Sequence, residues 1–232
     1  ECFMTAAQTP TRKLVWVILS RRAGTAPLTK SPQNSKNSGR EIVVGVSGAS
    51  GSIIAERLVR FLLESGNRVH LVASKTGKLV THDEMDIPPG TRTLFANMEH
   101  ENLTEWGEKN FYAPFASGTA PIDGMAIVPC AMTTVASVAH GISDNLIKRA
   151  AEVMLKEGRP LVIVPREAPL NQIHLQNMLT LTQAGATIVP PVLTFYQHPG
   201  DSVIEQVDYV VSRILDHLGV DNQLFHRWGS ER

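Results

Sequence analysis

The sequence predicts an α/β protein with a single domain, built on a doubly wound, mostly parallel Rossmann-like sheet with helices on both faces. From residue 41 onward, short apolar runs typical of buried strands alternate with stretches that have the 3.6-residue period of amphipathic helices. A glycine-rich turn joins the first apolar run to the first helical stretch. The chain has 232 residues, of which 43% are hydrophobic, and this is enough for one sizeable core.

The first strand, turn and helix have the pattern that opens a nucleotide-binding βαβ unit. Four of the five residues 42–46 are apolar and β-branched, as in a strand that is covered on both faces. Residues 47–51, Ser-Gly-Ala-Ser-Gly, suit a tight turn, and apolar residues then recur at positions 54, 58, 61 and 62. A helix that begins there without a cap offers unpaired N–H groups and a positive dipole end to a phosphate.

The glycine spacing favours a mononucleotide over NAD. Gly45, Gly48 and Gly51 follow the pattern G-x-x-G-x-x-G, whereas the dinucleotide fingerprint is G-x-G-x-x-G. The second strand, 68–73, runs into Ser74 instead of the acidic residue that would hold a ribose. The alternative is a turn that only packs the helix on the strand.

The rest of the chain continues the alternation. After the second strand we expect a helix at 75–84, a turn-rich link at 85–101 and a loop at 110–118. Further strands are predicted at 124–129, 161–164 and 186–189, and further helices at 133–139, 145–156, 170–184 and 202–218. Ligands of such sheets bind outside the carboxyl ends of the strands, so functional side chains are expected at that edge.

Arg166 and Glu167 follow the strand 161–164 directly and lie between two prolines. This is a rigid turn at the ligand edge of the predicted sheet, which favours a functional arginine and carboxylate. The alternative is a surface ion pair worth under ~1 kcal/mol.

Other charged residues are ambiguous on pattern alone. Arg149, Glu152 and Lys156 form one polar stripe of the predicted helix 145–156. A solvated face with a Glu152–Lys156 pair would give the same pattern. Arg213 on the last predicted helix is ambiguous in the same way, and Tyr196 could serve packing alone.

Composition excludes several classes of function. The 22 basic and 22 acidic residues balance, which gives no indication of a nucleic-acid partner. No apolar run approaches the ~18 residues of a membrane span. The eight histidines show no metal-ligand spacing, so we expect no catalytic metal. Cys2 and Cys130 are expected to be reduced thiols of a cytoplasmic protein.

Residues 1–40 differ from the rest of the chain. They hold seven Lys or Arg and one Glu, and they are rich in Ser and Thr. We expect a disordered or adventitious basic leader, followed by a domain at 41–232 that ends in a C-terminal tail. The alternative is a transit peptide, which would place the protein in the mitochondrion.

Several motifs together resemble the flavin prenyltransferase family (UbiX/Pad1 type), formerly called aromatic-acid decarboxylases. They are Val-Ser-Gly-Ala-Ser-Gly at 46–51, Ser-Lys at 74–75, Pro-Cys at 129–130, Arg-Glu-Ala-Pro-Leu at 166–170 and Arg-Trp-Gly at 227–229. The resemblance implies transfer of a dimethylallyl group from dimethylallyl phosphate to N5 and C6 of reduced FMN. It further implies a homo-oligomer, a dodecamer in relatives, and delivery of the prenylated FMN to a UbiD-type decarboxylase.

The resemblance also implies roles for individual residues. FMN contacts are implied at Gly48, Ala49, Ser50, Ser74, Ala131, Met132, Thr133, Thr134 and Arg166. Contacts to the prenyl phosphate are implied at Arg149, Lys156, Tyr196 and Arg213. Glu167 and Ser50 are implied in proton transfer. Many relatives have Ser where this chain has Ala131, so a hydroxyl contact there is lost or moved to Thr133 or Thr134.

Two other functions are compatible with an FMN-binding fold. One is an FMN-dependent decarboxylase of the cysteine-decarboxylase type, although the catalytic His and the Asn-containing substrate motif that it needs are not found in the sequence. The other is a simple FMN-binding redox module, which would not need the cationic residues.

Overall fold

The computed structural model describes residues 39–88, 90–195, 202–227 and 229. Its centre is a six-stranded parallel sheet with the strand order β3-β2-β1-β4-β5-β6. The strands are β1 (Glu41–Val46), β2 (Arg68–Ala73), β3 (Leu103–Gly107), β4 (Gly124–Cys130), β5 (Leu161–Pro165) and β6 (Thr187–Ile188). The helices are α1 (Ser52–Glu64), α2 (Lys75–Glu84), α3 (Met132–Ala139), α4 (Leu146–Lys156), α5 (Gln172–Gln183) and α6 (Val203–Leu218). The predicted doubly wound α/β fold is confirmed.

The apolar β1 lies at the centre of the sheet. Val43 stands opposite His70 of β2 on one side and opposite Met125 of β4 on the other. Successive side chains of a strand point to opposite faces, so a strand between two layers of helices must be apolar throughout. Five of the six β1 residues are accordingly buried.

Two hydrophobic clusters cover the two faces of the sheet. On one face α1 and α6 pack against the sheet, with Leu58 and Ile214 among the fully buried residues. On the other face α3 and α4 pack against it, with Ile147 among them, and Phe115 from the loop before β4 joins this cluster. The sheet therefore separates α4 from α6.

Helices α4 and α6 run opposite to the strands. The first residue of α4 donates its N–H to the carbonyl of Glu108, just after β3, at 2.7 Å, and β5 begins shortly after α4 ends. The last residue of α6 accepts a hydrogen bond from Arg40, just before β1, at 3.3 Å. The first turn of α4 thus lies at the carboxyl edge of the sheet, and the last turns of α4 and α6 lie at the amino edge.

The strand β3 was not predicted. It lies at the sheet edge, and only Leu103 and Trp106 among its five residues are half-buried. The indole of Trp106 donates to Nδ1 of His70 at 3.1 Å, while Nε2 of that ring lies 2.7 Å from a carboxylate oxygen of Glu41. These contacts link β3 to β2 and β1. The sequence did not predict β3, because a polar strand at the edge of a sheet has the composition of a loop.

Helix α5 has an unusual surface for an exposed helix. None of its 12 residues is Asp, Glu, Lys or Arg. Ile173, Leu175 and Leu179 on it are exposed.

Within the described residues, no helix is long and apolar enough to span a membrane.

Candidate active site

The turns after β1 and β4 are joined through the buried side chain of Ser47. Its hydroxyl accepts a hydrogen bond from the N–H of Ala131 at 2.7 Å and donates to the carbonyl of Pro129 at 3.2 Å. The N–H of Ser47 donates to the same carbonyl at 3.1 Å. Because Ser47 is only 2% exposed, these bonds are shielded from water. They fix the two turns as one unit at the carboxyl edge of the sheet.

The first turn of α1 is not free to bind a phosphate. The carboxylate of Glu84, the last residue of α2, accepts hydrogen bonds from the N–H groups of Gly51 at 3.1 Å and Ser52 at 2.8 Å. The expectation of a bare N-terminus at α1 is therefore wrong for these two groups. An internal carboxylate fills the position that the sequence suggested for a ligand's phosphate.

Glu84 also interacts with Ser50, one of the predicted catalytic residues. Burial raises the pKa of Glu84, but hydrogen bonds from the side chains of Ser50 and Ser52 and from two N–H groups outweigh it and lower the pKa. Glu84 is thus held as a carboxylate beside the Ser50 hydroxyl. Sequence reasoning missed Glu84, because its partners lie 32 and 33 residues away in the chain.

In the first turn of α3 the N–H of Thr134 donates to the carbonyl of Ala131 at 2.9 Å, whereas the N–H groups of Met132 and Thr133 have no partner among the described residues. Ala131 is its N-cap residue and makes no side-chain cap hydrogen bond. Thr133 is exposed there, whereas Met132 and Thr134 are buried. A helix N-terminus without a cap attracts anions through its N–H groups and its dipole. The predicted FMN contacts at 131–134 therefore include two N–H groups without a partner in the described part of the chain, whereas Glu84 occupies those of Gly51 and Ser52 at α1.

Two glycines near this edge are explained by packing. A Cβ on Gly48 would lie 2.6 Å from a methyl carbon of Thr76, and a Cβ on Gly77 would lie 2.5 Å from the carbonyl oxygen of Val46. Both glycines allow α2 to approach the end of β1. For Gly48 the packing alternative accounts for the residue without a ligand. The hydroxyl of Ser74 caps α2 by accepting the N–H of Gly77 at 2.9 Å.

Arg166 and Glu167 both lie exposed at the carboxyl edge. The N–H of Arg166 donates to the carbonyl of Cys130 at 3.2 Å, which ties the turn after β5 to the end of β4. The Glu167 carboxylate accepts the N–H of Ala168 at 3.1 Å. Among the described ion pairs, none joins Arg166 to Glu167, so the alternative of a surface ion pair is wrong.

Arg149 and Lys156 lie on α4, and each contacts a carboxylate. Arg149 donates to the carbonyl of Ala116 and to the carboxylate of Glu152, both at 3.0 Å. Lys156 pairs with Glu157 at 2.6 Å. The alternative of a Glu152–Lys156 pair is therefore not what the structure shows. Glu152 holds Arg149 instead.

Arg213 lies on α6, where it donates to the carboxylate of Asp216 at 2.7 Å. Because α6 covers the face of the sheet opposite to α4, Arg213 and Arg149 are on different sides of the molecule. Tyr196, the fourth predicted phosphate contact, lies outside the described residues.

The predicted site residues thus fall into separate groups. Lys156 comes seven residues after Arg149 on α4, which corresponds to a rise of about 10 Å along the helix axis. Lys156 lies at the amino edge and Glu167 at the carboxyl edge, with the five-residue β5 between them, a span of about 16 Å. A single chain therefore places Arg213 across the sheet from Arg149 and Lys156.

Cys130 ends β4 next to this edge. It is fully buried, and burial raises the pKa of its thiol to about 12. The thiol is therefore protonated and unreactive at neutral pH. Within the described residues, no group of three or more His, Cys, Asp or Glu side chains could hold a metal ion.

Comparison with known proteins identifies the family. A model of the family described as Flavoprotein matches residues 30–219. Flavin prenyltransferase UbiX of Halalkalibacterium halodurans is 45% identical over 195 residues, which cover 82% of this chain and 93% of the relative. The chain belongs to the flavin prenyltransferase family.

Solved structures of UbiX and UbiX-like proteins have the same fold. A crystal structure of AnUbiX (PadA1) in complex with FMN and dimethylallyl pyrophosphate is 39% identical, with a TM-score of 0.75, covering 84% of this chain and 100% of that one. A dodecameric FMN-dependent UbiX-like decarboxylase from Escherichia coli O157:H7 is also 39% identical, with a TM-score of 0.74, covering 82% of this chain and 100% of that one. The similarity to this family therefore extends over the whole described sheet.

Proposed function

We propose that this protein is a flavin prenyltransferase, which transfers the dimethylallyl group of dimethylallyl phosphate to N5 and C6 of reduced FMN. The observation that carries this proposal is the 45% identity to a flavin prenyltransferase over 82% of the chain. The cysteine-decarboxylase and redox-module alternatives are not favoured, because neither accounts for a match of this extent to prenyltransferases.

The carboxyl edge has the residues to hold FMN. The uncapped first turn of α3 provides N–H donors for a phosphate, and Ser47 fixes the turn beside it. Ser50 and Arg166 are exposed at the same edge. We assign the FMN phosphate to the first turn of α3, since Glu84 occupies the N–H groups at the start of α1. Reduced FMN supplies the nucleophilic N5 and the ring carbon C6 of the reaction.

Cationic side chains promote departure of the phosphate from the prenyl donor. An allylic phosphate leaves slowly unless preorganised donors stabilise its developing negative charge. Arg149, Lys156 and Arg213 are suited to this, with Tyr196 as a hydrogen-bond donor. Since one chain places Arg213 across the sheet from Arg149 and Lys156, all three act on one phosphate when two or more copies of the chain meet at the site.

Glu167 is suited to move a proton. Closure of the new ring requires a proton to reach the prenyl alkene and another to leave C6. Glu167 is exposed at the carboxyl edge and is free of an ion pair with Arg166, while the Ser50 hydroxyl is held beside the Glu84 carboxylate. We assign acid–base work to Glu167 and a supporting role to Ser50.

Prenylated FMN is a cofactor and not an end product, so a recipient enzyme is part of the proposal. We propose a UbiD-type decarboxylase as that recipient. A homo-oligomer is supported by the dodecameric relative and by the separation of the cations in one chain. Of the predicted leader 1–40, residues 1–38 lie outside the described part, and their role as a leader remains a proposal. Arg40 belongs to the domain, since it donates to Asn67 at 3.0 Å and to Leu218 at 3.3 Å.

The function is tested with purified protein, reduced FMN and dimethylallyl phosphate under anaerobic conditions. Mass analysis of the extracted flavin should show the addition of one dimethylallyl group. Dimethylallyl pyrophosphate in a parallel reaction identifies the donor. Flavin that binds but returns unmodified from both reactions would refute the prenyltransferase function, and turnover of a peptidyl cysteine would then support the decarboxylase alternative.

A further inference from the structure

Asp216, near the end of α6, holds two arginines together. Arg213 donates to its Oδ2 at 2.7 Å. Arg227, from the segment after α6, donates Nη1 to Oδ2 at 3.2 Å and Nη2 to Oδ1 at 2.7 Å. Asn222 adds a hydrogen bond to Oδ1 at 3.0 Å. A carboxylate has about four acceptor positions, so these four bonds fill Asp216.

The two guanidinium groups of the cluster are more exposed than the carboxylate between them. Arg213, Asp216 and Arg227 together have a net charge of about +1, and the nearby Asp221 carboxylate also acts on Arg227. The side chain of Asp216 is 18% exposed, whereas those of Arg213 and Arg227 are 39% and 52% exposed. The carboxylate therefore lies beneath the two cations, which face solvent.

The Arg213 guanidinium has N–H groups that no described hydrogen bond uses. A guanidinium has five N–H groups, and in the described part of the chain Arg213 uses one of them, toward Asp216. A planar guanidinium that is fixed at one end presents its remaining N–H groups in a defined direction. This geometry suits bidentate recognition of a phosphate.

We propose that Arg213, Asp216 and Arg227 form one anion-binding unit for the phosphate end of the prenyl donor, in which Asp216 positions both guanidinium groups. The proposal rests on the proposed function and adds Arg227 to the phosphate-binding residues. Two unscreened guanidinium groups that share one oxygen partner would repel each other. The carboxylate between them offsets that repulsion and keeps both cations at a single site.

The test measures binding of inorganic pyrophosphate to the full chain loaded with FMN, by calorimetry at low ionic strength. Arg227→Ala should weaken pyrophosphate binding about tenfold or more, as expected for one charge-assisted hydrogen bond. Asp208→Asn is the matched control, because Asp208 lies on the same helix and pairs with Arg57 at 2.6 Å, away from the cluster. This control should bind pyrophosphate as the unmodified chain does. An Arg227→Ala variant with unchanged affinity would overturn the proposal.

The Asp216→Asn variant shows whether Asp216 positions the two arginines or only neutralises their charge, because the two roles change pyrophosphate affinity in opposite directions. The substitution removes a negative charge, so pyrophosphate should bind more tightly if Asp216 only neutralises the arginines. If Asp216 positions them, binding should weaken despite the higher positive charge. Tighter binding would refute the positioning role. Should this variant fail to fold, Arg227→Ala still decides the proposal, since Arg227 is on the surface.

Two further readouts identify the phosphate and separate this proposal from the overall function. FMN affinity should be the same in Arg227→Ala and in the unmodified chain; a weaker FMN affinity with unchanged pyrophosphate binding would show that the cluster serves the flavin phosphate instead. In steady-state assays, Arg227→Ala should raise KM for the prenyl donor more than it lowers kcat. A chain that binds pyrophosphate through Arg227 but forms no prenylated flavin would refute the enzyme function and leave the anion site standing.

Discussion

At the residue scale, Ser47 is a buried side chain that joins two turns at the carboxyl edge of the sheet, where we propose that FMN binds. It connects the turn after β1 to the turn before α3 through bonds of 2.7 and 3.2 Å. We expect Ser47→Ala to weaken FMN binding about tenfold, because the N–H of Ala131 loses its acceptor and only the backbone bond from the N–H of Ser47 to the carbonyl of Pro129 still joins the two turns. Equilibrium flavin titration measures this.

Ser65→Ala is the control for that substitution. The Ser65 hydroxyl donates to the carbonyl of Phe61 at 2.7 Å, at the far end of α1. Its loss should lower the melting temperature without changing flavin affinity. Equal flavin affinities in the Ser47 and Ser65 variants would contradict the role of Ser47.

Glu167 permits a second residue-scale prediction. Glu167→Gln keeps the size of the side chain and removes its acid–base function, so turnover should fall about 10²–10⁴-fold. Binding of flavin and of dimethylallyl phosphate should persist. Glu64→Gln, an exposed glutamate at the end of α1, should be fully active. Reduced flavin binding with unchanged turnover per bound flavin would assign Glu167 a structural role.

At the scale of elements, the Glu84 side chain at the end of α2 caps the N-terminus of α1. Its pKa is lowered in the folded protein, so its contribution to stability is present above the usual carboxyl pKa and is lost as the pH falls through the lowered value. Glu84→Gln should therefore melt at a lower temperature than the unmodified chain at pH 7. The difference should shrink below about pH 4. A difference that does not depend on pH would exclude this charged cap.

The predictability of each element follows from where it lies in the sheet. The strands β1, β4 and β5 are central and apolar, so their composition alone predicted them. The edge strand β3 is polar and was missed, and β6 was predicted at 186–189 but spans Thr187–Ile188. The 3.6-residue period of apolar residues predicted the bounds of α4 and α6 to within one residue. The partner of a helix terminus, such as Glu84, is set by tertiary contacts and leaves no local signal.

At the scale of the whole molecule, the separation of Lys156 from Glu167 predicts a site shared between copies. Lys156→Ala and Glu167→Gln should each be nearly inactive. When the two variants are co-expressed or refolded together in equal amounts, about a quarter of the shared sites should contain both native residues. Mass analysis of the flavin product measures the recovery. No recovery in mixed oligomers would show that both residues serve the same chain.

The proposal that residues 1–38 are dispensable has a simpler test at this scale. A chain that begins at Gly39 retains all of β1 and every predicted site residue. We expect it to bind FMN and to form prenylated flavin at the rate of the full chain. Loss of either property would show that residues 1–38 take part in folding or catalysis.

The buried thiol of Cys130 has a practical consequence for spectroscopy. A chain that begins at Gly39 lacks Cys2, so Cys130 is its single cysteine. With a pKa of about 12 and no exposed surface, this thiol should not react with maleimide reagents while the protein is folded. A cysteine introduced on the surface could then carry a fluorophore at one defined position. Distances between labelled subunits would become measurable without altering the residues at the end of β4.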